Sequence, residues 1–394
     1  VLRALPIVLC LMATPALAQS SSFELRGFLT ARAVQVSAQP SWTSGGFGRF
    51  DVGAETRDDE RIVNLAAAHV GFDWNPARWL LIHADGVARK EPEETKGDEA
   101  GLVQAYAEFY TEKLRFRAGM FWLPTSRENI DPLWHSRYTL TYSALNSWIG
   151  QEIRPIGVDF QYSPTFYVTA GATAFRGNDT MGTLLSSRGW TFGNRLSVYD
   201  EALPQPAPAP LSIPIGPDTD GELGWAGRVR FQVPERAMLQ VARIDNRAEL
   251  RSGEPPRDPW RTKLTVVSAD IGAGSPTTLA AEWASGSTAV GFTSGSFTLD
   301  FRTWYILASQ KRGRDRWTTR IDTFTTRDHD QPLDPENRED GRAYTVAWLH
   351  DFSEKLRGGL EYVRVTGDRL GAATSGYDVR TGGSTIAVEL RYAF

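Results

Sequence analysis

The chain has 394 residues, 41% hydrophobic and 11% aromatic, with a formal charge of −4. Its mean hydropathy is negative, and no apolar run after residue 18 approaches the roughly 20 residues a membrane-crossing helix needs. Those quantities exclude a helical membrane protein and give no reason to expect nucleic acid as a partner, but they leave open strands that face lipid on one side and water on the other.

Residues 1–18 read as a secretory signal peptide. Arg3 is basic, Ala4 to Thr14 is apolar, and Ala16-Leu17-Ala18 is a small-residue cleavage site. Cys10 is the single cysteine, so the expected mature chain, residues 19–394, has no thiol and no disulfide. Alternation of apolar and polar residues then marks candidate strands at Phe23–Val36, Ile62–Trp74, Arg78–Arg89, Leu102–Thr111, Leu114–Leu123, Ile153–Tyr162, Thr165–Arg176 and Glu222–Val233. More follow at Arg236–Arg247, Trp260–Gly272, Thr277–Ser285, Ser296–Gln310, Arg316–Arg327, Arg342–Asp351, Lys355–Thr366 and Ser384–Phe394. The total of sixteen is even, as an up-and-down barrel needs to close with both ends on one rim.

Connections are expected to alternate short and long without exception. Asn75-Pro76-Ala77, Glu112-Lys113, Ser163-Pro164, Pro234-Glu235, Gly274-Ser275-Pro276, Gly313-Arg314-Asp315 and Ser353-Glu354 are tight. Ser37–Arg61, Pro124–Glu152, Gly177–Gly221, Asp328–Gly341 and Gly367–Gly383 are long and polar. Trp74, Trp79, Tyr110, Tyr162, Phe166, Phe231, Trp317, Phe352 and Phe394 cluster beside the tight turns, as an interfacial aromatic girdle does. The expected fold is therefore an all-β, 16-stranded antiparallel transmembrane β-barrel with short periplasmic turns and long external loops, in a single domain. The Pro-rich run Leu203 to Pro217 reads as part of an external loop, because strands resume beyond it in unbroken up-down order.

In the last strand Ile386, Val388, Leu390, Tyr392 and Phe394 share one face, with Glu389 and Arg391 on the other. It resembles the terminal strand of bacterial outer-membrane barrels, which ends on a phenylalanine preceded by aromatics at alternate positions. Sixteen strands with a long loop after the fifth resemble the bacterial porins, whose third loop folds into the lumen as a constriction. Leu114 to Pro124, with Gly119, Phe121 and Pro124 in a G-x-F-x-x-P pattern, resembles a strand end of the phosphate-selective porin O and P family. Ile156-Gly157-Val158-Asp159-Phe160 resembles the strand that re-enters after that family's loop. The resemblance implies a trimeric diffusion channel for anions in the Gram-negative outer membrane, its path lined by arginine and lysine. Residues 124–152 depart from that pattern, carrying Arg127 and Arg137 but no lysine.

Positions interleaved with the lipid-facing ones are expected to line the lumen. They include Arg26, Arg32, Arg115, Arg117, Arg228, Arg230, Arg261, Lys263, Arg302, Arg320 and Arg391, with Glu24, Asp85, Glu108, Asp159, Glu282, Asp300, Asp322 and Glu389 among them. Residues 124–152 carry Trp134, Tyr138, Tyr142 and Trp148 and are too aromatic to lie free in water, so the segment is expected to fold inward. Arg127 and Arg137 would then face Arg115 and Arg117 across the path, near Glu108 and Asp159, and an excess of arginine there favours anions. Ala66 to Ala68 and Ala170, Ala172 and Ala174 put small side chains where a neighbouring wall could approach, as a homotrimer needs.

Enzymatic chemistry is absent by pattern. There is no G-x-S-x-G, H-E-x-x-H or P-loop, and His69, His83, His135, His329 and His350 lack ligand spacing, so no catalytic residue, metal or cofactor is expected. The acidic stretch Asp328 to Glu336 breaks the calcium-loop pattern at Pro332 and reads as a solvated loop facing lipopolysaccharide. The expected function is passive diffusion of small hydrophilic solutes with a mild anion preference. An outer-membrane lipid hydrolase and a non-conducting structural barrel are the alternatives.

Overall fold

The computed structural model describes residues 22–128, 133, 135–206, 212–250, 258–292, 295–329 and 336–394. The expected signal peptide, Trp134 and the middle of the acidic stretch, 330–335, lie outside the described residues. The strands are β1 (Ser22–Ser37), β2 (Arg61–Ala77), β3 (Leu80–Lys90), β4 (Ala100–Tyr110), β5 (Leu114–Met120), β6 (Ile156–Thr165), β7 (Val168–Arg176), β8 (Ala202–Pro204) and β9 (Ser212–Pro214). Beyond them come β10 (Gly224–Val233), β11 (Ala237–Asp245), β12 (Trp260–Ile271), β13 (Thr277–Phe292), β14 (Gly295–Arg312), β15 (Asp315–Asp328), β16 (Glu339–Asp351), β17 (Leu356–Arg369) and β18 (Gly383–Ala393). All but β8 and β9 form one closed barrel of sixteen antiparallel strands, each paired with its chain neighbours, and β1 seals against β18 from Phe28↔Ala393 to Ser37↔Ser384.

The period of two decides which side chains meet lipid. Leu29, Val229, Leu239, Ile306, Val346 and Val388 point outward and stay exposed, while Arg32, Arg228, Gln240, Glu282, Arg320 and Glu389 point inward and are buried. At the tight rim the β14–β15 turn places Gly313 at φ 62, a left-handed conformation that glycine adopts without strain. Gly27 answers a different need: a Cβ there would come within 2.6 Å of the Phe394 ring, which lies across it at the β1–β18 seam.

Two expectations change. The sequence break after Ser285 is not a long loop, because β13 and β14 run to 16 and 18 residues and only residues 293–294 separate them. Gly286, Ser287 and Thr288 keep the ladder against Leu264, Lys263 and Thr262, so a polar, glycine-containing stretch that reads as loop is strand. The second change concerns facing: Arg261, Lys263, Asp300 and Arg302 are on the outer wall. On β12 the inward residues at that height are Thr262, Leu264 and Val266, and on β14 they are Leu299, Phe301 and Thr303. The usual contrast is inverted because the lumen there is packed with apolar loop residues.

Three loops do that packing. Helix α1 (Ala144–Glu152) lies in the β5–β6 connection and is buried along its whole length. Helix α2 (Thr183–Arg188) lies in the β7–β10 connection. The β1–β2 connection adds Phe50 and Val52 to the same cluster, which joins Trp148, Ile149, Leu185, Trp190 and Phe192 to wall residues Val266, Phe301, Phe324 and Val363. Trp148 meets Trp190 and Phe301 edge to face, with ring centroids 5.8 and 5.2 Å apart. The Pro-rich stretch is drawn in as well: β8 pairs with β9, and Leu203, Ile213 and Ile215 bury with Trp42 and Leu184.

Candidate functional site

The described residues of 121–155 lie within the barrel, and charged wall residues hold their backbone. The Glu282 carboxylate on β13 accepts from Ser126 Oγ at 3.0 Å and from Arg127 N–H at 3.3 Å. On β17, Glu361 accepts from the N–H groups of Leu140 at 2.7 Å and Thr141 at 3.3 Å. Asp322 on β15 takes the N–H of Ala144 at 3.2 Å, and Arg320 beside it donates to the carbonyls of Thr141 at 2.9 Å and Tyr142 at 2.8 Å. These are lumenal charges, but their partners are loop amides and carbonyls, since a buried loop must have its backbone groups satisfied.

Helix α1 begins where Ser143 caps it, its Oγ accepting from Asn146 N–H at 3.2 Å. Glu128 supports that turn, accepting from Ser143 Oγ at 2.5 Å and Asn146 Nδ2 at 2.6 Å. At the far end Glu152 accepts from the N–H of Leu184 at 2.9 Å and from the indole of Trp148, tying one loop to the next. Burial pushes the Glu152 carboxyl up to about 7 despite those donors. The neighbouring Arg188 is pulled down to about 9, again by burial, and its guanidinium lies 3.8 Å from the Trp42 ring centroid.

The residues expected to form the constriction divide into two places. Glu108, Arg115, Arg117 and Asp159 come together on β4–β6, where Arg117 donates to Glu108 at 2.8 Å and Arg115 pairs with the same carboxylate at 3.1 Å. Asp159 is held by a fork from Arg228 at 2.6 and 2.9 Å and by Thr173 at 2.6 Å. Arg127 is instead five strands further round the wall, 3.5 Å from Asp270 of β12 and donating at 3.3 Å to the Tyr305 hydroxyl of β14. Arg137 is exposed in the loop. The four arginines therefore do not face one another across one opening.

Among the described residues a gap lies elsewhere, between the inner faces of β1–β3 and residues 135–142 and 194–196. It is narrow, a cavity of about 70 Å³. Arg32, Arg89, Lys90, Arg195 and Arg391 line it against Asp51 and Glu91, with Leu65, Val87 and Tyr142 as apolar wall. Arg32 donates to Glu389 at 3.1 and 2.5 Å and to Asn194 at 3.0 Å, while Arg391 reaches the same carboxylate at 3.0 Å. Arg195 pairs with Glu91 at 2.8 Å and Glu201 at 2.6 Å, and these carboxylates outweigh burial to hold its guanidinium more firmly protonated than usual. At the other end His69 stacks on Phe28 at 4.4 Å and the Arg391 guanidinium lies 4.7 Å from the same ring. The β1–β18 half of this site has a sequence signal, since Arg32 and Glu389 are opposite charges on strands that must seal. Arg195 has none, being one arginine in a long loop.

Two further features were not legible beforehand. His83 sits between Asp73 at 2.6 Å and Asp85 at 3.5 Å on the inner wall. Asp179, Asp218 and Asp220 bring carboxylate oxygens within 4.8 Å of one another at the loop rim, where burial pushes Asp179 up.

No protein-family model matches the chain, and no curated protein matches it in sequence. Solved structures match its fold across nearly its whole length. The outer-membrane channel DcaP of Acinetobacter baumannii superposes with a TM-score of 0.61 at 11% identity, over 95% of this chain and 97% of that one. An anion-selective porin from Comamonas acidovorans gives 0.58 at 10% identity, over 95% and 100%. OmpF of Salmonella typhi, in complex with daunomycin, gives 0.58 at 11% identity, over 94% and 97%. At such identities the likeness is one of fold, and with the apolar exterior it makes the chain a β-barrel of the bacterial outer-membrane type.

Proposed function

We infer that the protein is an outer-membrane porin that passively admits small hydrophilic solutes, with a mild preference for anions, and performs no reaction. The observation that carries the reading is the narrow charged gap beside β1–β3, where Arg32, Arg89, Arg195 and Arg391, ion-paired with Glu91, Glu201 and Glu389, lie between low-dielectric walls. In this reading residues 124–152 are the constriction, supported by the pinning of Ser126, Leu140 and Ala144 to β13, β17 and β15. Residues 1–18 act as the export signal. The outward small residues Ala31, Ala33, Ala66, Ala68, Ala84 and Ala88 on β1–β3 offer a close-packing face for a homotrimer, whereas Ala67 faces inward. The motif around Gly119, Phe121 and Pro124 supports kinship with the phosphate-selective porin O and P family.

The test is conductance in planar bilayers with refolded protein, followed by reversal potentials across a salt gradient. Neutralising Arg89 and Arg391 is expected to shift the reversal potential toward cations, whereas neutralising Arg115, Arg117, Arg127 and Arg137 reports on the constriction. An unchanged potential in both variants would remove the anion assignment. A second reading, a non-conducting structural barrel, is favoured by the apolar seam of Trp148, Trp190 and Phe301 through the lumen, and complete absence of conductance steps would establish it.

A further inference from the structure

We propose that Asp51, on the β1–β2 connection, is the residue that sets the ion preference of the gap beside β1–β3, its negative charge holding anion passage down. The proposal rests on the reading of the protein as a porin with that gap as its path.

The guanidinium groups of the gap are largely cancelled by carboxylates behind them. Arg32 and Arg391 share Glu389, Arg195 bridges Glu91 and Glu201, and Arg89 also meets Glu201. These four arginines and three glutamates leave a surplus of one positive charge. Lys90 alternates outward with its ladder partner Ala66 and is exposed, so water screens it. Asp51 lines the gap as well, and among the described residues it makes no ion pair. With Asp51 ionised the set is balanced; with it neutral the set carries one net positive charge beside the apolar wall of Val52, Leu65 and Val87. In a narrow, low-dielectric passage one uncompensated charge weighs more than the −4 spread over the whole chain.

The surrounding loops fix that carboxylate in place. Its Oδ2 accepts the N–H groups of Asn194 at 3.0 Å and Arg195 at 3.2 Å, its main-chain carbonyl accepts from Thr43 Oγ1 at 3.1 Å, and Phe50 and Val52 on either side are buried. Gly193 passes against it so closely that a Cβ there would come within 2.0 Å of Oδ1. Oδ1 itself is buried without a hydrogen-bond partner. The two amides need one acceptor oxygen, which a carboxamide supplies as well as a carboxylate, and a buried charge with an unmet oxygen costs stability. The fold therefore uses the oxygen, and the charge is left for the gap. Facing Asp51 are Arg32 of β1, Glu91 of the β3–β4 connection, and Arg188 and Arg195 of the β7–β10 connection. Burial, with Glu91 adding to it, outweighs the Asn194 N–H and the arginines and pushes the Asp51 carboxyl up, so it gains its proton at a higher pH than a surface carboxylate does. Anion preference should accordingly rise as the pH falls.

The experiment uses the full chain refolded into planar bilayers, with potassium chloride as the probe salt. Conductance steps are recorded first, because their absence in the wild type would overturn the porin reading and this proposal with it. In conducting protein, Asp51→Asn is expected to raise the chloride-to-potassium permeability ratio by at least about twofold near pH 7. The wild-type ratio should climb to meet the variant's as the pH is lowered, since both then carry a neutral side chain. Asp58→Asn removes the same charge from the same connection at a side chain that is 87% exposed, and should leave the ratio unchanged. Heat-modifiable migration checks folding. If Asp51→Asn does not fold, Asp51→Ser, which also offers the amides an oxygen, is measured in its place. An unchanged ratio in a folded, conducting variant would overturn the proposal and leave the porin reading standing. A difference between wild type and variant that persists undiminished at low pH would overturn it too, because altered loop packing and not charge would then be the cause.

Discussion

Trp148 is the side chain through which the β5–β6 loop, the β7–β10 loop and the barrel wall meet. It is 2% exposed, its ring is edge-on to Trp190 and Phe301, and its indole N–H donates to Glu152. Trp148→Ala removes both aromatic contacts and leaves a cavity, a change that costs about 3–5 kcal/mol. The barrel is closed by sixteen ladders that this residue does not join, so the loss falls on loop docking and leaves the wall intact. A loss of about 3 kcal/mol multiplies the population of released loop by roughly a hundredfold. Two measurements read it: amide hydrogen exchange over residues 139–152, which should accelerate, and single-channel conductance, which should rise as the lumen opens. Trp148→Phe keeps an aromatic ring at the seam but loses the hydrogen bond and part of the packing volume, and should fall between wild type and alanine. Unaltered exchange and unaltered conductance in Trp148→Ala would refute the idea that this seam holds the loops in place.

Stability should depend on pH through Glu152. Folding lifts its carboxyl from an ordinary 4.5 to about 7, so the folded state binds the extra proton between those values; stability is highest below about pH 4.5 and falls by about 3 kcal/mol as the pH rises to about 7. Glu152→Gln should flatten that slope in detergent unfolding curves, and an unchanged slope would assign the dependence to other groups. Glu361→Ala strands the N–H groups of Leu140 and Thr141 and should cost about 1–3 kcal/mol, seen as an earlier urea midpoint for the loop but not for the barrel. Phe394 exchanges two backbone hydrogen bonds with Gly27, at 3.0 and 3.3 Å, and its ring covers that glycine; Phe394→Asp should abolish heat-modifiable migration, and normal assembly of that variant would count against the seam's role. A cysteine placed at Ala68 should cross-link between protomers in mild detergent, and exclusively monomeric product would remove the trimer proposal.

Strand number, antiparallel order and the apolar exterior were legible in the sequence because each depends on local periodicity: Ile386, Val388 and Leu390 alternate with Ala387 and Glu389 whatever lies across the lumen. Most tight turns were legible for the same reason, and so was the crowding of aromatics in residues 124–152. Asn75-Pro76-Ala77 and Ser163-Pro164, however, lie at irregular strand ends and the chain turns beyond them, at Arg78-Trp79 and Phe166-Tyr167, because proline is tolerated where the ladder slips out of register. What only the tertiary structure decided is what each inward position meets. Leu264, Val266 and Phe301 face inward while Lys263 and Arg302 face out, because loops packed inside make the lumen apolar at that height. Alternation reports that two faces differ, not which face is the wetter one. Glu282, Asp322 and Glu361 could be read as charges on a wall, but their partners, the amides of residues 127, 144 and 140, are brought to them by a loop path that no local pattern encodes. The gap beside β1–β3 is likewise a remainder, the volume that the loops and the inner wall leave unfilled, and such a volume exists only once the chain has closed on itself.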